Sequence, residues 1–337
     1  MREEEQPDSD GKWRFDYRSS RILGIAFPSI YASVLLVFCL VRNVFPGPEF
    51  VVLCFLIYAA YNRWTRRFVK DWVPLVILFI SYEAMYGIVD NISGIVHVAE
   101  PINADLQMFG AIPTLVLQQF YRSPILDYTG AFFYSLHFII PTAFAFVLWK
   151  FYPKSYWKYT IALAFCTYSA LITFLIYPVA PPWFGVKATR ILFQLDHNLG
   201  APVYRTIFDY IQPNPFAAFP SLHATYPWLI SLCAFKIGKI KALPVFLLPL
   251  GVWFSAVYLG EHYVVDLMGG VIYASLAFLL AEKLITRLPS RYTQADTKAE
   301  EELAGKLILI NIKKSASDAT RPLIYPINIQ QLMISRI

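Results

Sequence analysis

Two of the five histidines in this sequence, His223 and His262, open apolar runs, and each has neighbours that suit it to phosphorus chemistry. His223 stands in Phe219-Pro220-Ser221-Leu222-His223. Proline at a helix start costs no hydrogen bond, and the first amides of the helix are left pointing outward. Those N–H groups and the positive end of the helix dipole suit a phosphate, to which the Ser221 hydroxyl can add a donor. His262 is followed four residues later by Asp266, so a helix sets the carboxylate one turn along on the same face as the imidazole. The carboxylate can accept the Nδ1–H, leaving Nε2 as a nucleophile toward phosphorus and stabilising the imidazolium that forms. His223, if brought alongside, protonates the departing alkoxide and then activates the acceptor hydroxyl. This route splits one displacement into two through a phosphohistidine, and it calls for no metal and no other cofactor.

The elements that must position these groups are membrane helices. The chain has 337 residues, of which 57% are hydrophobic and 17% aromatic but only 15% charged, too apolar for an average soluble domain. Apolar runs of the length that crosses a bilayer recur along it. Eight are expected, at 22–41, 49–61, 72–89, 128–149, 159–177, 221–234, 242–259 and 263–280. The second and sixth are short for full spans. The fold class expected is therefore all-α, a polytopic transmembrane bundle, with a leading segment 1–21 and a tail 283–337. No cleavable signal and no internal repeat is evident. Cys39, Cys54, Cys166 and Cys233 fall inside spans without CxxC spacing, which suggests neither disulfides nor zinc.

Basic residues alternate between the connections. Arg14, Arg18 and Arg21 precede the first span, Arg63 to Lys70 follow the second, and Lys150 to Lys158, Lys236 to Lys241 and Lys283 to Arg291 follow the fourth, sixth and eighth. The positive-inside bias then places both termini in the cytoplasm and both histidine-bearing helix starts on the extracellular, periplasmic or lumenal side. The net charge of +6 is a topology signal, not a nucleic-acid footprint. Two long connections, 90–127 and 178–220, share the active side, and their few cations, Arg122, Lys187, Arg190 and Arg205, are candidates for holding phosphate. His137, about two and a half turns into the fourth span, is an ionisable group at a depth where function is the default reading. Glu83 is a weaker case, and His97 and His197 read as structural.

The conjunction of Pro-Ser-Leu-His at one span and His-x-x-x-Asp at the next but one resembles the type 2 phosphatidic acid phosphatase superfamily over residues 72–282. Within it the chain looks most like the fungal inositol phosphorylceramide synthase branch. The elements that carry this likeness are Tyr177-Pro178-Val179-Ala180-Pro181-Pro182-Trp183, Pro220-Ser221-Leu222-His223 and Tyr258-Leu259-Gly260-Glu261-His262-Tyr263-Val264-Val265-Asp266. The resemblance implies a six-helix catalytic core with the two spans of 22–71 added in front. It implies His262 as nucleophile, Asp266 as its orienter and His223 as general acid. Trp183, Tyr258 and His137, the last within a Tyr-x-x-His-Phe element, become substrate-facing candidates, although membrane anchoring and packing are the first reading of Trp183.

Two departures stand out. Ser255 matches the family's third element, but Ala256 replaces its phosphate-binding arginine, and the Lys-x-x-x-x-x-x-Arg-Pro element is absent. Phosphate binding must therefore be rebuilt, and Arg122 and Arg205 stand first among the four cations. The function expected is transfer of a phosphate-linked headgroup, inositol phosphate in the nearest branch, from a phospholipid to a lipid alcohol. A lipid phosphatase with water as acceptor is the runner-up, and a non-catalytic membrane protein or transporter is the alternative of another class.

Overall fold

The computed structural model describes residues 48–84, 95–200, 202–211 and 214–287. The expected first span, the side chain of Glu83 and the tail beyond residue 287 lie outside the described residues. The chain divides into two units, Met1–Thr286 and Arg287–Ile337, and the architecture below is that of the first. The described helices are α1 Pro48–Tyr61, α2 Thr65–Ala84, α3 Ala99–Phe109, α4 Pro113–Phe120, α5 Pro124–Phe151 and α6 Pro153–Ile176. They continue as α7 Pro182–Gly185, α8 Ile191–Leu199, α9 Val203–Ile211, α10 Leu222–Gly238, α11 Leu247–Tyr258 and α12 Val264–Arg287, with a 3-10 helix Lys239–Phe246 between α10 and α11.

Helix starts follow local chemistry. Ser123 caps α5, its Oγ accepting from the Leu126 amide at 3.3 Å, and Pro124 takes the next position, where a missing N–H does no harm. The fourth expected span therefore begins four residues earlier than its apolar run. Pro153 starts α6 in the same way. Stretches Pro124–Phe151, Pro153–Ile176, Leu222–Tyr258 and Val264–Ile285 are long and apolar enough to cross a membrane. The third is a hairpin, because Trp253 Nε1 near its end donates to the Ala224 carbonyl near its beginning at 3.3 Å. With the shorter α1 and the proline-containing α2, the described residues form the polytopic helix bundle expected from the sequence.

The bundle has two chemically distinct ends. At one, Trp149 Nε1 donates to Asp71 Oδ2 at 2.8 Å beside Phe68 and Trp72, and Glu282 pairs with Lys158 and Lys236 at 3.0 and 3.5 Å. At the other lie the starts of α10 and α12. Glu282 sits sixteen residues beyond Asp266, about 24 Å along a helix, so the basic connections gather away from the histidines.

The two long connections fold as a cap over the histidine end. Val179 bridges His97 on one side and Ala217 on the other, so three extended pieces pair briefly in parallel. Gln118 in α4 donates to the carbonyls of Thr189 and Tyr258 at 2.8 and 2.9 Å and accepts from the Thr189 amide at 2.8 Å. Gly260, at φ 86°, turns the chain from α11 toward α12, and a side chain there would meet the Thr189 carbonyl oxygen at 2.7 Å.

Small residues let α10 and α12 touch. A Cβ on Gly270 would run into the Ser221 carbonyl oxygen and lie 2.9 Å from both Ala224 Cβ and Thr225 Oγ1, while the Thr225 hydroxyl donates to the Ser221 carbonyl at 2.8 Å with the Gly270 carbonyl as a second acceptor at 3.2 Å. Gly270→Val should wedge the two helices apart, lower stability by about 1–3 kcal/mol and displace the site above it. The midpoint of thermal unfolding in detergent, read together with turnover, checks this; an unchanged midpoint would mean that the contact is loose.

Candidate active site

The structure brings the three motif residues together. His223, one residue into α10, places Nδ1 3.2 Å from His262 Nε2, and His262 Nδ1 lies 3.5 Å from Asp266 Oδ2. Asp266 is fully buried and His262 nearly so. The aspartate also accepts the Tyr263 amide at 2.9 Å, and its carbonyl accepts the Ser221 amide at 3.0 Å. That last bond joins the turn before α10 directly to the first turn of α12 and sets the spacing between the imidazoles. Nε2 of His262 faces the second histidine while Nδ1 faces the carboxylate, which is the division of labour a nucleophile and its orienter need.

Ser221 is fully buried, and its Oγ accepts from the Ala224 amide at 3.3 Å, so its place in the structure is the N-cap of α10. With Ala224 and Thr225 amides turned back to Ser221, the amides of Leu222 and His223 are the ones that start the helix without a carbonyl one turn earlier. An anion fits best at that point.

His137 proves to be level with the reacting histidines instead of below them. Its ring centroid is 4.0 Å from that of His223, and it stacks on Tyr226 at 5.1 Å with an interplanar angle of 3°. Tyr134, one turn earlier on α5, stacks on His223 at 4.1 Å. Because α5 starts at Pro124, its first turns overshoot the other helix starts, which brings residue 137 to the level of residue 223. The buried atoms His137 Nδ1, His223 Nε2, His262 Nδ1, Tyr263 Oη and Asp266 Oδ1 have no hydrogen-bond partner among the described residues, and Trp72 Nε1, Thr114 Oγ1, Thr160 Oγ1 and Asn214 Nδ2 share that state in other parts of the bundle and cap. The rings of His137 and His223 are in contact, so their two orphaned nitrogens mark a place for a polar group.

The four cations separate. Arg190 forms a two-pronged pair with Glu261, Nε to Oε1 at 2.8 Å and Nη2 to Oε2 at 3.2 Å, and Glu261 is the residue before His262. Its guanidinium is boxed by Trp183, Phe193 and Phe208 at 4.6, 4.2 and 4.3 Å. Arg122 is occupied elsewhere, donating to Gln194 Oε1 at 2.5 Å and lying 3.4 Å from Asp127. Lys187 is exposed over Phe184, and Arg205 is exposed at the edge of Phe193. Trp183 therefore forms a wall for Arg190. Tyr258 is fully buried with its hydroxyl donating to Asp127, which places it in the packing beneath the cap.

Glu261, inside the element that carries His262 but given no role from the sequence, and Asp105, outside every motif, both lie against the candidate site. Glu261 could have been noticed as a carboxylate in a segment with few ions, directly before the nucleophile. Asp105, fully buried in α3, accepts the amides of Val264 and Val265 at 3.1 Å each, and nothing local in the sequence signals that partnership. Burial pushes its carboxyl above the usual range while the two amides pull it back. The Tyr263 phenol is raised by burial and by the neighbouring Asp266 and Asp105.

Fold and site together define a class, a polytopic helix bundle with a His–His–Asp group assembled where two helix N-termini meet. The chain belongs to the PAP2 superfamily, whose family model matches residues 102–280. It is similar to the phosphoinositol dihydroceramide synthase of Bacteroides thetaiotaomicron, 26% identical over 65% of this chain and 78% of the relative. It is also similar to the inositol phosphorylceramide synthase catalytic subunits of Schizosaccharomyces pombe and Saccharomyces cerevisiae. The first is 28% identical over 47% of this chain and 40% of the relative, the second 32% identical over 31% and 28%. The match thus spans less than half the length of either yeast relative. No solved structure matches the chain.

If the group acts as a unit, His262→Ala, His223→Ala and Asp266→Asn should each lower kcat by about 10³–10⁴-fold while the helical circular dichroism stays unchanged. A double variant His223→Ala/Asp266→Asn no slower than the worse single one is the expected signature of a shared task. Additive losses would assign the residues to separate steps.

Proposed function

We propose that this protein is a membrane lipid phosphotransferase that moves a phosphate-linked headgroup from a phospholipid to the hydroxyl of a second lipid. The observation that supports it most directly is the line His223 Nδ1, His262 Nε2, Nδ1 and Asp266 Oδ2, with separations of 3.2 and 3.5 Å. The His262 Nε2 lone pair attacks phosphorus, the bond from phosphorus to the glycerol oxygen breaks, and that oxygen takes a proton from His223. In the second half the acceptor hydroxyl gives its proton back to His223, its oxygen bonds to phosphorus and the N–P bond breaks. Asp266 stabilises the imidazole as charge develops on it. No step leaves an unbalanced proton, and the departing product is a diacyl- or dialkylglycerol.

Arg190 is assigned the phosphate contact that Ala256 does not provide, through Nη1, the nitrogen that its pair with Glu261 leaves over. Both the Glu261 and the His262 amides donate to the Ala256 carbonyl at 3.1 Å, so the turn bearing the Arg190 partner closes on the end of α11 at the residue that stands in place of the family's arginine. His137 and Tyr226 line the inner side of His223 and are the groups placed to meet the acceptor hydroxyl. The relatives' names point to an inositol phosphate headgroup and a ceramide-type acceptor. The positive-inside pattern supports cytoplasmic termini and an active face on the opposite side of the membrane.

Purified protein incubated with phosphatidylinositol and a ceramide, beside His262→Ala, tests this by mass spectrometry of the lipids. A phosphoinositol group on the ceramide and an equal amount of diacylglycerol, both absent with His262→Ala, are expected. Free inositol phosphate without a modified ceramide would make water the acceptor and the protein a hydrolase. For Arg190→Ala the donor KM should rise about 10- to 100-fold, the worth of a charge-assisted hydrogen bond, with a smaller change in kcat. An unchanged donor KM would remove Arg190 from the site.

A further inference from the structure

We infer that Asp105, which no motif marks and which touches none of the reacting groups through its carboxylate, is a positioning residue for the reaction, clamping the first turn of α12 from the cap. The inference rests on the catalytic assignment above. α12 begins at Val264, and its first two amides are those that Asp105 holds, Val264 N on Oδ2 and Val265 N on Oδ1, both at 3.1 Å. The next residue is Asp266, and the residue two before Val264 is His262. Orienter and nucleophile therefore flank the clamped pair of amides on either side.

The clamp defines a coordinate that the helix alone leaves soft. Helix ends fray because their first four N–H groups lack carbonyl partners. Here the Tyr263 amide is taken by Asp266 Oδ2 and the following two by Asp105, so three successive donors are fixed before the regular ladder begins. A planar carboxylate that accepts two neighbouring amides resists both rotation and translation of the turn beneath it. The His262 Nδ1 to Asp266 Oδ2 separation, 3.5 Å, is long for a hydrogen bond and shortens or lengthens with any tilt of that turn. A displacement of about 1 Å at the reacting atoms costs on the order of 10²-fold in rate.

The same arrangement decides which helix end receives phosphate. With Asp105 on the α12 amides, the anion position at that N-terminus is filled by the protein's own carboxylate. The start of α10, where Leu222 and His223 carry the free amides, is left to the substrate.

A structural comparison lies within the same cap. Asp196, also buried, accepts the Tyr204 and Arg205 amides at 2.7 and 2.8 Å and so clamps the start of α9 in the same way. α9 carries none of the His–His–Asp group. Asp105→Asn, which offers one acceptor where two N–H groups point, and Asp196→Asn therefore remove equivalent clamps with different consequences. Kinetics are read per mole of folded, monodisperse protein as release of the diacylglycerol-type product. This readout does not depend on whether the acceptor is a lipid alcohol or water, so failure of the transferase reading is seen separately.

Asp105→Asn is expected to lower kcat roughly 10- to 100-fold with donor KM within about twofold, while Asp196→Asn leaves kcat within about twofold. Equal kcat losses in the two variants, or unchanged kcat in Asp105→Asn, would overturn the inference. Should Asp105→Asn not accumulate as folded protein, Asp105→Glu, which keeps the charge but shifts the carboxylate by one methylene, is read by the same criteria. If neither variant folds, Asp105 serves folding alone and the positioning role is lost.

Discussion

A single backbone hydrogen bond organises the site, the Ser221 amide donating to the Asp266 carbonyl at 3.0 Å. It joins the starts of two helices that approach through Gly270, and on either side of it stand His223 and Asp266, the proposed general acid and orienter. Because α10 and α12 are long, their relative tilt is fixed by packing along their length from the first turn down. Thr225 against Gly270 and Trp228 Nε1 on Ser275 Oγ at 3.0 Å are two such contacts. The site thus inherits its precision from helix packing and needs only short polar contacts at the top to set the final register. Packed interiors deform little, which makes rigid helix starts better holders of catalytic groups than loops.

Polar atoms buried at the end of an apolar bundle must be satisfied within the protein, since an unpaired one costs several times what a hydrogen bond contributes. The chain meets that demand by setting carboxylates on helix N-termini, Asp105 on α12 and Asp196 on α9, where amides and the helix dipole receive them. Arg190 and Glu261 satisfy one another and are shielded by rings. The nitrogens of His137 and His223 that find no partner among the described residues belong to rings 4.0 Å apart. That contact is the physical reason for reading the place as one where substrate supplies the missing partners.

The helices and the pairing of His262 with Asp266 were largely legible in the sequence, because both rest on short-range chemistry. Apolar run length marks spans, prolines mark helix starts, and a four-residue spacing puts His262 and Asp266 on one helical face. The long connections were not legible as helices. Their folding depends on partners far away in sequence, such as Gln118 with Thr189 and Tyr258. The same holds for the cations. Position along the chain favoured Arg122 and Arg205, but Arg122 is engaged by Gln194 and Asp127, and it is Arg190 that reaches the residue beside His262. His137 was found for one reason and is placed by another. Depth in a span suggested function, and the early start of α5 at Pro124 brings it against His223.

The two helix N-termini divide the work of handling negative charge. Both begin at the same level and both could hold an anion. At α12 the position is taken by the Asp105 carboxyl, a group the protein itself supplies. At α10 the capping Ser221 turns the third and fourth amides inward and leaves the first two for a ligand. A site with two equivalent anion positions would let a phospholipid bind in two orientations, and under the proposed mechanism only one aligns phosphorus with His262 Nε2 and the leaving oxygen with His223. Filling one position internally removes that ambiguity, and the carboxylate that does so also steadies the turn between nucleophile and orienter.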